Sequence, residues 1–412
     1  MTAGELLSWI GAALLLQLAA GIGLALRRRH GAAAISPIPE AVPTGVASSA
    51  DWAGWREFRV ARREFEDAAQ TQCSFYLEPV DGKALRAFKP GQFLTFSLAV
   101  ADSAAGEPGS WRPITRCYSL SDRPDAASYR VTIKRVPAPS GHPGVPAGLS
   151  SNHFHDHVRE GCVLRVKAPS GHFFIDPDPS VPVVLVGGGI GITPLMCMLH
   201  WCLSEQPARR IHLYYGVRNG RVHAFKRQLE ETAKSHPSLH LNVVYSRPDA
   251  EDERGRDYQH AGHVDVDLLR CTLPHGRHRF YVCGPASMMQ SLVPALAAWG
   301  VPETDVRHEA FGPASAGPVG TAVAPAALEV DVAFRRSGRT LTWDGSDASL
   351  LDFALRHGIA VDSGCRAGGC GTCETRLVSG EVRYQYVPDH DIAPGHCLLC
   401  VGVPASPLVL EA

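Results

Sequence analysis

The residues with the most definite chemistry lie near the carboxyl end. Cys365-Arg-Ala-Gly-Gly-Cys370-Gly-Thr-Cys373 is followed downstream by Cys400, giving the spacing C-x4-C-x2-C…C. This is the ligand pattern of a plant-type [2Fe–2S] cluster. Two irons need four thiolates, and one tight loop can supply three of them. The loop must wrap closely round an inorganic core, and Gly364, Gly368, Gly369 and Gly371 keep side chains out of its path. Its backbone N–H groups can then point at the sulfurs and tune the potential. A zinc site more often shows two C-x2-C pairs, and here a second such pair arises only through Cys397 and Cys400. Cys400 precedes Val-Gly-Val, as at the start of a buried strand, and suits the fourth ligand position better than Cys397.

Four further stretches carry chemistry. Arg116-Cys117-Tyr118-Ser119 ends a strand-like run. There an Arg can pair with a phosphate, a Tyr can lie on an isoalloxazine ring, and a Ser can hydrogen-bond near a flavin's reactive nitrogen. Gly148-Leu-Ser150-Ser151 opens a helix, whose free N–H groups suit a second phosphate. Gly187-Gly-Gly189-Ile-Gly191-Ile-Thr193-Pro194 follows a continuous apolar run and opens another helix, the position of a phosphate-cradling turn. Thr193 and Pro194 distinguish it from the G-x-G-x-x-G fingerprint. Cys283-Gly284-Pro285 ends a later strand-like run, and Glu309-Ala-Phe311-Gly312 closes the same α/β stretch. Cys283 there can stand beside a nicotinamide, Glu309 can relay a proton, and Phe311 can cover a ring. His153, His155 and His157 lack acidic or thiol partners at ligand spacing, and read as a barrel-packing or solvated helix face.

Positioning these groups requires several domains. At 412 residues the chain holds two to four, on the usual ~100–200 residues per domain. Residues 53–178 contain six short β-type runs with Gly/Pro-rich turns, which predicts an antiparallel β-barrel. The run GLSSNHFHDHVREG inside it reads as a short helix, with Ser or Asn as its N-cap. Residues 179–313 alternate apolar strands and helices, which predicts a doubly wound α/β domain. Residues 314–327 form a linker, and 328–412 a compact unit of strands, one helix and the cysteine loop.

The amino end differs from all of this. Residues 6–26 are apolar apart from Ser8, Gln17 and some Gly, reach the ~20 residues a membrane-spanning helix needs, and precede Arg27, Arg28 and Arg29. Glu5 and the lack of Lys or Arg before them argue against a signal peptide. The expectation is a single-pass transmembrane helix in the cytoplasmic (inner) membrane, its arginines and catalytic domains in the cytoplasm. Residues 30–52, rich in Ala, Pro and Ser, read as a tether. A net charge of −1 gives no hint of nucleic-acid binding. The 12 cysteines are scattered through a long chain rather than set as a disulfide framework, which suits a reducing compartment.

Taken together, R-x-Y-S, G-x-x-S, GGGIGITP, CGP and E-x-F-G, in this order, resemble the ferredoxin–NADP reductase superfamily, and most of all the reductase half of flavohaemoglobins. NGRVHAF, DYQHAGHVD and HEAFGP look like that group's own phrases. With the C-terminal plant-type ferredoxin unit, a β-grasp fold by this resemblance, the domain order resembles reductases of multi-component oxygenases and of hybrid-cluster proteins. The resemblance implies FAD, held by Phe93, Arg116, Cys117, Tyr118, Ser119, Lys134, Gly148, Ser150, Ser151 and Glu309 to Gly312. It implies NADH or NADPH on Gly189, Gly191, Thr193, Pro194, Cys283, Gly284 and Pro285. Ser119, Cys283 and Glu309 would serve catalysis, and Cys365, Cys370, Cys373 and Cys400 the cluster. Arg218, Ser246 and Arg247 follow strands where a 2′-phosphate would lie, whereas flavohaemoglobin-type reductases mostly favour NADH. The implied activity is NAD(P)H → FAD → [2Fe–2S] electron transport to a partner protein. The expected partner is an oxygenase, hydroxylase or desaturase component at the membrane. A hybrid-cluster or nitric-oxide-handling acceptor is the alternative, and a non-catalytic electron carrier the alternative from another class. No globin domain accompanies the motifs, so nitric-oxide dioxygenase activity does not carry over.

Overall fold

The structure, a computed structural model, describes residues 52, 54–101, 111–124, 127–138, 147–311, 329–384, 388 and 390–412. The apolar stretch 6–26, most of the 30–52 tether, the 314–327 linker and Gly312 lie outside them. Among the described residues no helix is long and apolar enough to cross a membrane.

The first domain is built from β1 (Arg56–Phe65), β2 (Gln72–Pro79), β3 (Phe93–Ala101), β4 (Trp111–Ser119), β5 (Tyr129–Lys134) and β6 (Val163–Ser170). They pair antiparallel in the order β4-β3-β6-β1-β2-β5. A bridge between Leu120 and Val131 joins the two outer strands at one end, so the sheet curls into a barrel. The helix α1 (Leu149–Asp156) fills one mouth. Its Phe154 is fully buried, with its ring centroid 5.2 Å from Phe75, 5.4 Å from Phe96 and 5.2 Å from Tyr118. Trp52, placed by sequence in the tether, stacks on Phe58 at 5.4 Å and so belongs to the barrel.

The second domain comprises β7 (Val183–Gly188), α2 (Ile192–Glu205), β8 (Ile211–Val217), α3 (Lys226–Ser235), β9 (Leu239–Tyr245), β10 (His260–Ala261), α4 (Val266–Thr272), β11 (Arg279–Gly284), α5 (Ala286–Ala298) and β12 (Val306–Ala310). The strands run parallel in the order β10-β9-β8-β7-β11-β12. Apolar cores cover both sheet faces, which is why β7 reads as an unbroken apolar run. The strand order reverses between β7 and β11, and such a switch point opens a crevice at the carboxyl ends of the strands. Phe173 and Ile175, ahead of β7, pack into this domain's core.

The third domain holds β13 (Val330–Phe334), β14 (Arg339–Trp343), α6 (Leu350–Arg356), β15 (Glu374–Ser379), β16 (Val382–Tyr384), β17 (His396–Leu398), β18 (Gly402–Pro404) and β19 (Leu408–Leu410). Its five-stranded sheet has the order β14-β13-β19-β15-β17, with β13 and β19 parallel. Ser349 caps α6 by accepting from the Asp352 N–H at 3.1 Å. Phe353 of α6 then packs on Phe334 and Trp343, with centroids 6.2 and 5.3 Å away. A helix held across a mixed sheet in this way is a β-grasp arrangement.

Because Phe154 is the one ring that joins α1 to three strands of the barrel, Phe154→Ala leaves a large cavity. It should cost roughly 3–5 kcal/mol of barrel stability. Thermal unfolding followed by flavin fluorescence should show earlier FAD release; an unchanged midpoint would mean the barrel mouth is held by other contacts.

Candidate functional site

The site begins at the end of β4. Side chains alternate across a strand, so Arg116 and Tyr118 face one way, and Cys117 and Ser119 the other. Tyr118 turns towards α1. It is half-buried, its ring meets Phe96 and Phe154 edge-on, and its hydroxyl lies 2.8 Å from Ser150 Oγ. Burial pushes its phenol up to about 12, so it remains a neutral ring with a fixed tilt. Phe93 sits directly opposite Ser119 across the β3–β4 ladder and is buried.

The sequence suggested Ser or Asn as the N-cap of α1. The N-cap is Gly148 instead, with no side-chain cap. The hydroxyls are engaged elsewhere: Ser150 with Tyr118, and Ser151 donating to the Gly148 carbonyl at 3.1 Å. The helix start therefore keeps N–H groups for an anion, as FAD's pyrophosphate requires. Of the histidines beside it, His155 is buried against the Ile133 carbonyl at 2.9 Å, the barrel-packing role. His153 and His157 only tilt against each other at 5.2 Å.

On the other face of β4, Ser119 is buried and its hydroxyl donates to Glu309 Oε2 at 3.3 Å. Glu309 ends β12, next to Cys283 of β11 in the ladder. The flavin barrel and the nucleotide domain thus meet at the two groups assigned to proton and hydride handling. Cys283 itself is fully buried in the nucleotide-domain core, and burial, followed by the Glu309 charge, pushes its thiol well up. It stands at the sheet edge as a neutral thiol.

The glycine turn lies at the switch point. A Cβ on Gly191 would collide with the Cys283 carbonyl, so the turn and the end of β11 can approach only without a side chain there. Thr193 and Pro194 are buried in the first turn of α2, and the Thr193 hydroxyl donates to the Ile190 carbonyl at 3.0 Å. They shape the cradle. Lys134, at the end of β5, brings its Nζ to 3.9 Å from where a Cβ on Gly189 would lie, placing a positive charge over that cradle. Gly284 and Pro285 close its other side, Pro285 as the N-cap of α5. Arg218 and Arg247 are exposed after β8 and β9, with the Arg247 N–H donating to the Arg218 carbonyl at 2.8 Å. Phe311 is exposed at the domain's end.

In the third domain the cysteines form two pairs. The Cys365 N–H donates to Cys370 Sγ at 3.2 Å, and the Ala367 and Gly369 N–H groups to Cys365 Sγ at 3.3 Å each. The Cys400 N–H donates to Cys373 Sγ at 3.4 Å. A two-iron core takes two thiolates per iron, so pairs Cys365/Cys370 and Cys373/Cys400, backed by N–H groups, fit it. Contact with Cys117 first, then Cys365, draws Cys370 towards the thiolate, and contact with Cys400 does so for Cys373. Gly371 has φ +65°, and a Cβ there would collide with the His390 ring, which is itself held by Glu374 at 2.7 Å. Cys397 lies on β17 opposite Thr375, and burial pushes its thiol up to about 12. Cys400 sits in the turn after β17 rather than opening a strand; the next strand begins at Gly402.

One contact was not legible in the sequence. Cys117, on the Ser119 face of β4, lies close enough to the cluster loop that Cys370, and then burial, push its thiol well up. Thr95 Oγ1, directly across the ladder, lies 3.4 Å from Cys117 Sγ. A bridge between the same domains joins His172 to Asp391 at 3.9 Å.

Residues 185–293 match the oxidoreductase NAD-binding domain family, and residues 332–405 the 2Fe-2S iron-sulfur cluster binding domain family. The chain is 38% identical over 264 residues, 63% of its own length, to a flavohemoprotein of Halalkalibacterium halodurans, and spans 61% of that relative's length. The FAD/NAD-binding domain of a Vibrio cholerae nitric oxide dioxygenase is 30% identical, covered over its whole length and 63% of this chain, with a TM-score of 0.54. Phthalate dioxygenase reductase is 25% identical, with 98% of it and 87% of this chain covered, at a TM-score of 0.53. The chain belongs to the ferredoxin–NADP reductase superfamily, as a flavohaemoglobin-type FAD/NAD(P) reductase module fused to a plant-type [2Fe–2S] ferredoxin domain. It is an FAD- and [2Fe–2S]-dependent NAD(P)H oxidoreductase.

The pairing separates the two candidate fourth ligands. Cys400→Ser should lose or strongly alter the reduced-cluster electron paramagnetic resonance signal, and iron content should fall. Cys397→Ser should keep both. The reverse pattern would move the ligand to Cys397.

Proposed function

We propose that this protein carries electrons from NAD(P)H to a separate acceptor protein, an oxygenase, hydroxylase or desaturase component, and does so at the cytoplasmic face of the inner membrane. The observation that carries the reading is the meeting of the flavin barrel with both neighbouring domains: Ser119 at the end of β4 against Glu309 of the nucleotide domain at 3.3 Å, and His172 against Asp391 of the ferredoxin domain at 3.9 Å. The likeness to phthalate dioxygenase reductase across 87% of the chain supports an oxygenase-type acceptor. The apolar stretch 6–26 with Arg27–Arg29 supports the membrane, since an anchor would hold donor and acceptor in one plane.

When bound, FAD converts a two-electron hydride donor into single electrons and the [2Fe–2S] cluster passes them on. The protein's own residues set the geometry. The glycine turn, Lys134 and the start of α5 hold the nucleotide phosphates at the switch point, and the uncapped start of α1 holds those of the flavin. Tyr118 supplies a flat neutral face. Buried Ser119 and half-buried Glu309 form a hydrogen-bonded pair that can hold or release a proton where flavin and nicotinamide must stack. Cys365, Cys370, Cys373 and Cys400 would hold the cluster, in a loop that lies beside β4 of the flavin barrel.

Ser119→Ala should slow the reduction of bound FAD by NADH roughly tenfold or more, the effect of one lost hydrogen bond, with little change in FAD content. An unchanged rate would remove Ser119 from hydride transfer. Cys370→Ser should abolish cytochrome c reduction and spare ferricyanide reduction at the flavin; loss of both activities would make the loop structural. For the membrane reading, the full chain should sediment with membranes and a chain lacking residues 1–30 should not. Equal partitioning of the two would overturn it.

A further inference from the structure

The strand end that carries Ser119 runs on into a second contact with the nucleotide domain. Three residues further along, Asp122 Oδ1 lies 3.0 Å from His200 Nδ1 of α2. The other ring nitrogen of His200, Nε2, lies 3.2 Å from Gln228 Nε2 of α3. An amide nitrogen only donates, so Nε2 is the acceptor there and the Nδ1 proton goes to Asp122. His200 thus has both ring nitrogens used, and it joins the barrel to two helices. The Asp122 side is anchored as well. The guanidinium of buried Arg130, on β5, donates to the Ser121 carbonyl and to Ser121 Oγ at 3.1 Å, and its Nε lies 3.8 Å from Asp122 Oδ2. Burial would raise the Asp122 carboxyl, but the His200 hydrogen bond and the Arg130 charge bring it down to about 2, so it is an ionised acceptor at neutral pH.

The helix α2 is the one that the glycine turn opens. His200 follows Thr193 by seven residues, two turns along the same helix face and ~10 Å away. A short path of strand, hydrogen bond and helix therefore links Ser119 to the cradle. Hydride transfer is sensitive to such a link, because a misplacement of about 1 Å can cost roughly 100-fold in rate. We propose that His200 and Asp122 are positioning residues for hydride transfer: their hydrogen bond sets how closely the glycine cradle on α2 approaches the strand end that carries Ser119. The cradle is here the nucleotide site and Ser119 the flavin's neighbour, and the role of the pair rests on that reading. The two domains do not need this bond to stay together. The Ala69 N–H donates to the Arg221 carbonyl at 2.9 Å, and the Phe225 N–H to the Glu66 carbonyl at 3.0 Å. Losing His200 should therefore change the spacing at the cradle rather than separate the domains.

The test compares the holoenzyme with His200→Leu, which removes the donor, His200→Asn, whose amide can donate from the place of Nδ1, Asp122→Ala, and the double variant His200→Leu/Asp122→Ala. FAD content and the thermal midpoint check that each is assembled. Stacking is read without turnover, from the long-wavelength charge-transfer absorption that appears when NAD+ or NADP+ is added to the dithionite-reduced protein. The rate is read from anaerobic flavin bleaching by NADH and NADPH in parallel. His200→Leu and Asp122→Ala should each weaken the band and slow the limiting rate roughly tenfold to hundredfold, with half-saturating nucleotide within about twofold of wild type. His200→Asn should keep band and rate near wild type. The double variant should be no slower than either single one, as for two halves of one contact. An unchanged band and rate in His200→Leu would overturn the proposal. So would equal losses in the Leu and Asn variants, or losses that add in the double variant. A wild-type protein with no band and no bleaching by either nucleotide would instead overturn the reading of the nucleotide and flavin sites beneath it.

Discussion

The alternation of side chains along the last residues of β4 is the constraint on which the rest of the structure depends. Arg116 and Tyr118 point one way, and Cys117 and Ser119 the other. The first face is tied to α1 through Phe154 and Ser150. The second meets the nucleotide domain at Glu309 and lies beside the cluster loop of the ferredoxin domain, which pushes the Cys117 thiol up. A shift of one residue in the β3–β4 register would exchange the two faces. The ladder prevents this by nine consecutive pairings from Phe93↔Ser119 to Ala101↔Trp111, with Leu94, Phe96 and Leu98 buried in the barrel core.

The nucleotide domain answers the same need by other means. A parallel sheet covered on both faces leaves only its carboxyl edge open to ligands, and the switch point between β7 and β11 puts the gap there. Gly191 lets the turn close onto β11, and β12 then delivers Glu309 to the barrel. In the ferredoxin domain, Phe353 pins α6 to the sheet while the loop before β15 supplies three cysteines. Each domain therefore presents its reactive group on a short loop or strand end backed by a rigid core.

Local chemistry was legible in the sequence. Cysteine spacing, glycine turns and the change from alternating to continuous apolar runs are short-range signals, and they placed the barrel, the α/β domain and the cluster loop. What they missed depends on contacts distant in sequence. β12 and β19 are short, and only their pairing with β11 and β13 makes them strands. The N-cap of α1 was misplaced because Ser150 has a stronger partner in Tyr118. The hydroxyl of Thr193 closes the turn beneath it, a contact that the glycine-turn motif does not show. Cys400 was preferred to Cys397 in the sequence for a strand it does not open, and its N–H instead meets Cys373 Sγ from a turn; the nearness of Cys117 to the cluster loop spans two domains and has no signature in spacing.

The proposed electron path runs within one molecule, from the flavin barrel to the cysteine loop of the ferredoxin domain. The most direct measurement is anaerobic rapid mixing of the holoenzyme with NADH at several protein concentrations, with flavin bleaching followed optically and the cluster by freeze-quench electron paramagnetic resonance. The account predicts that the flavin bleaches first and the cluster signal follows at a rate independent of protein concentration. A cluster signal that never appears, or whose rate rises in proportion to protein concentration, would contradict it.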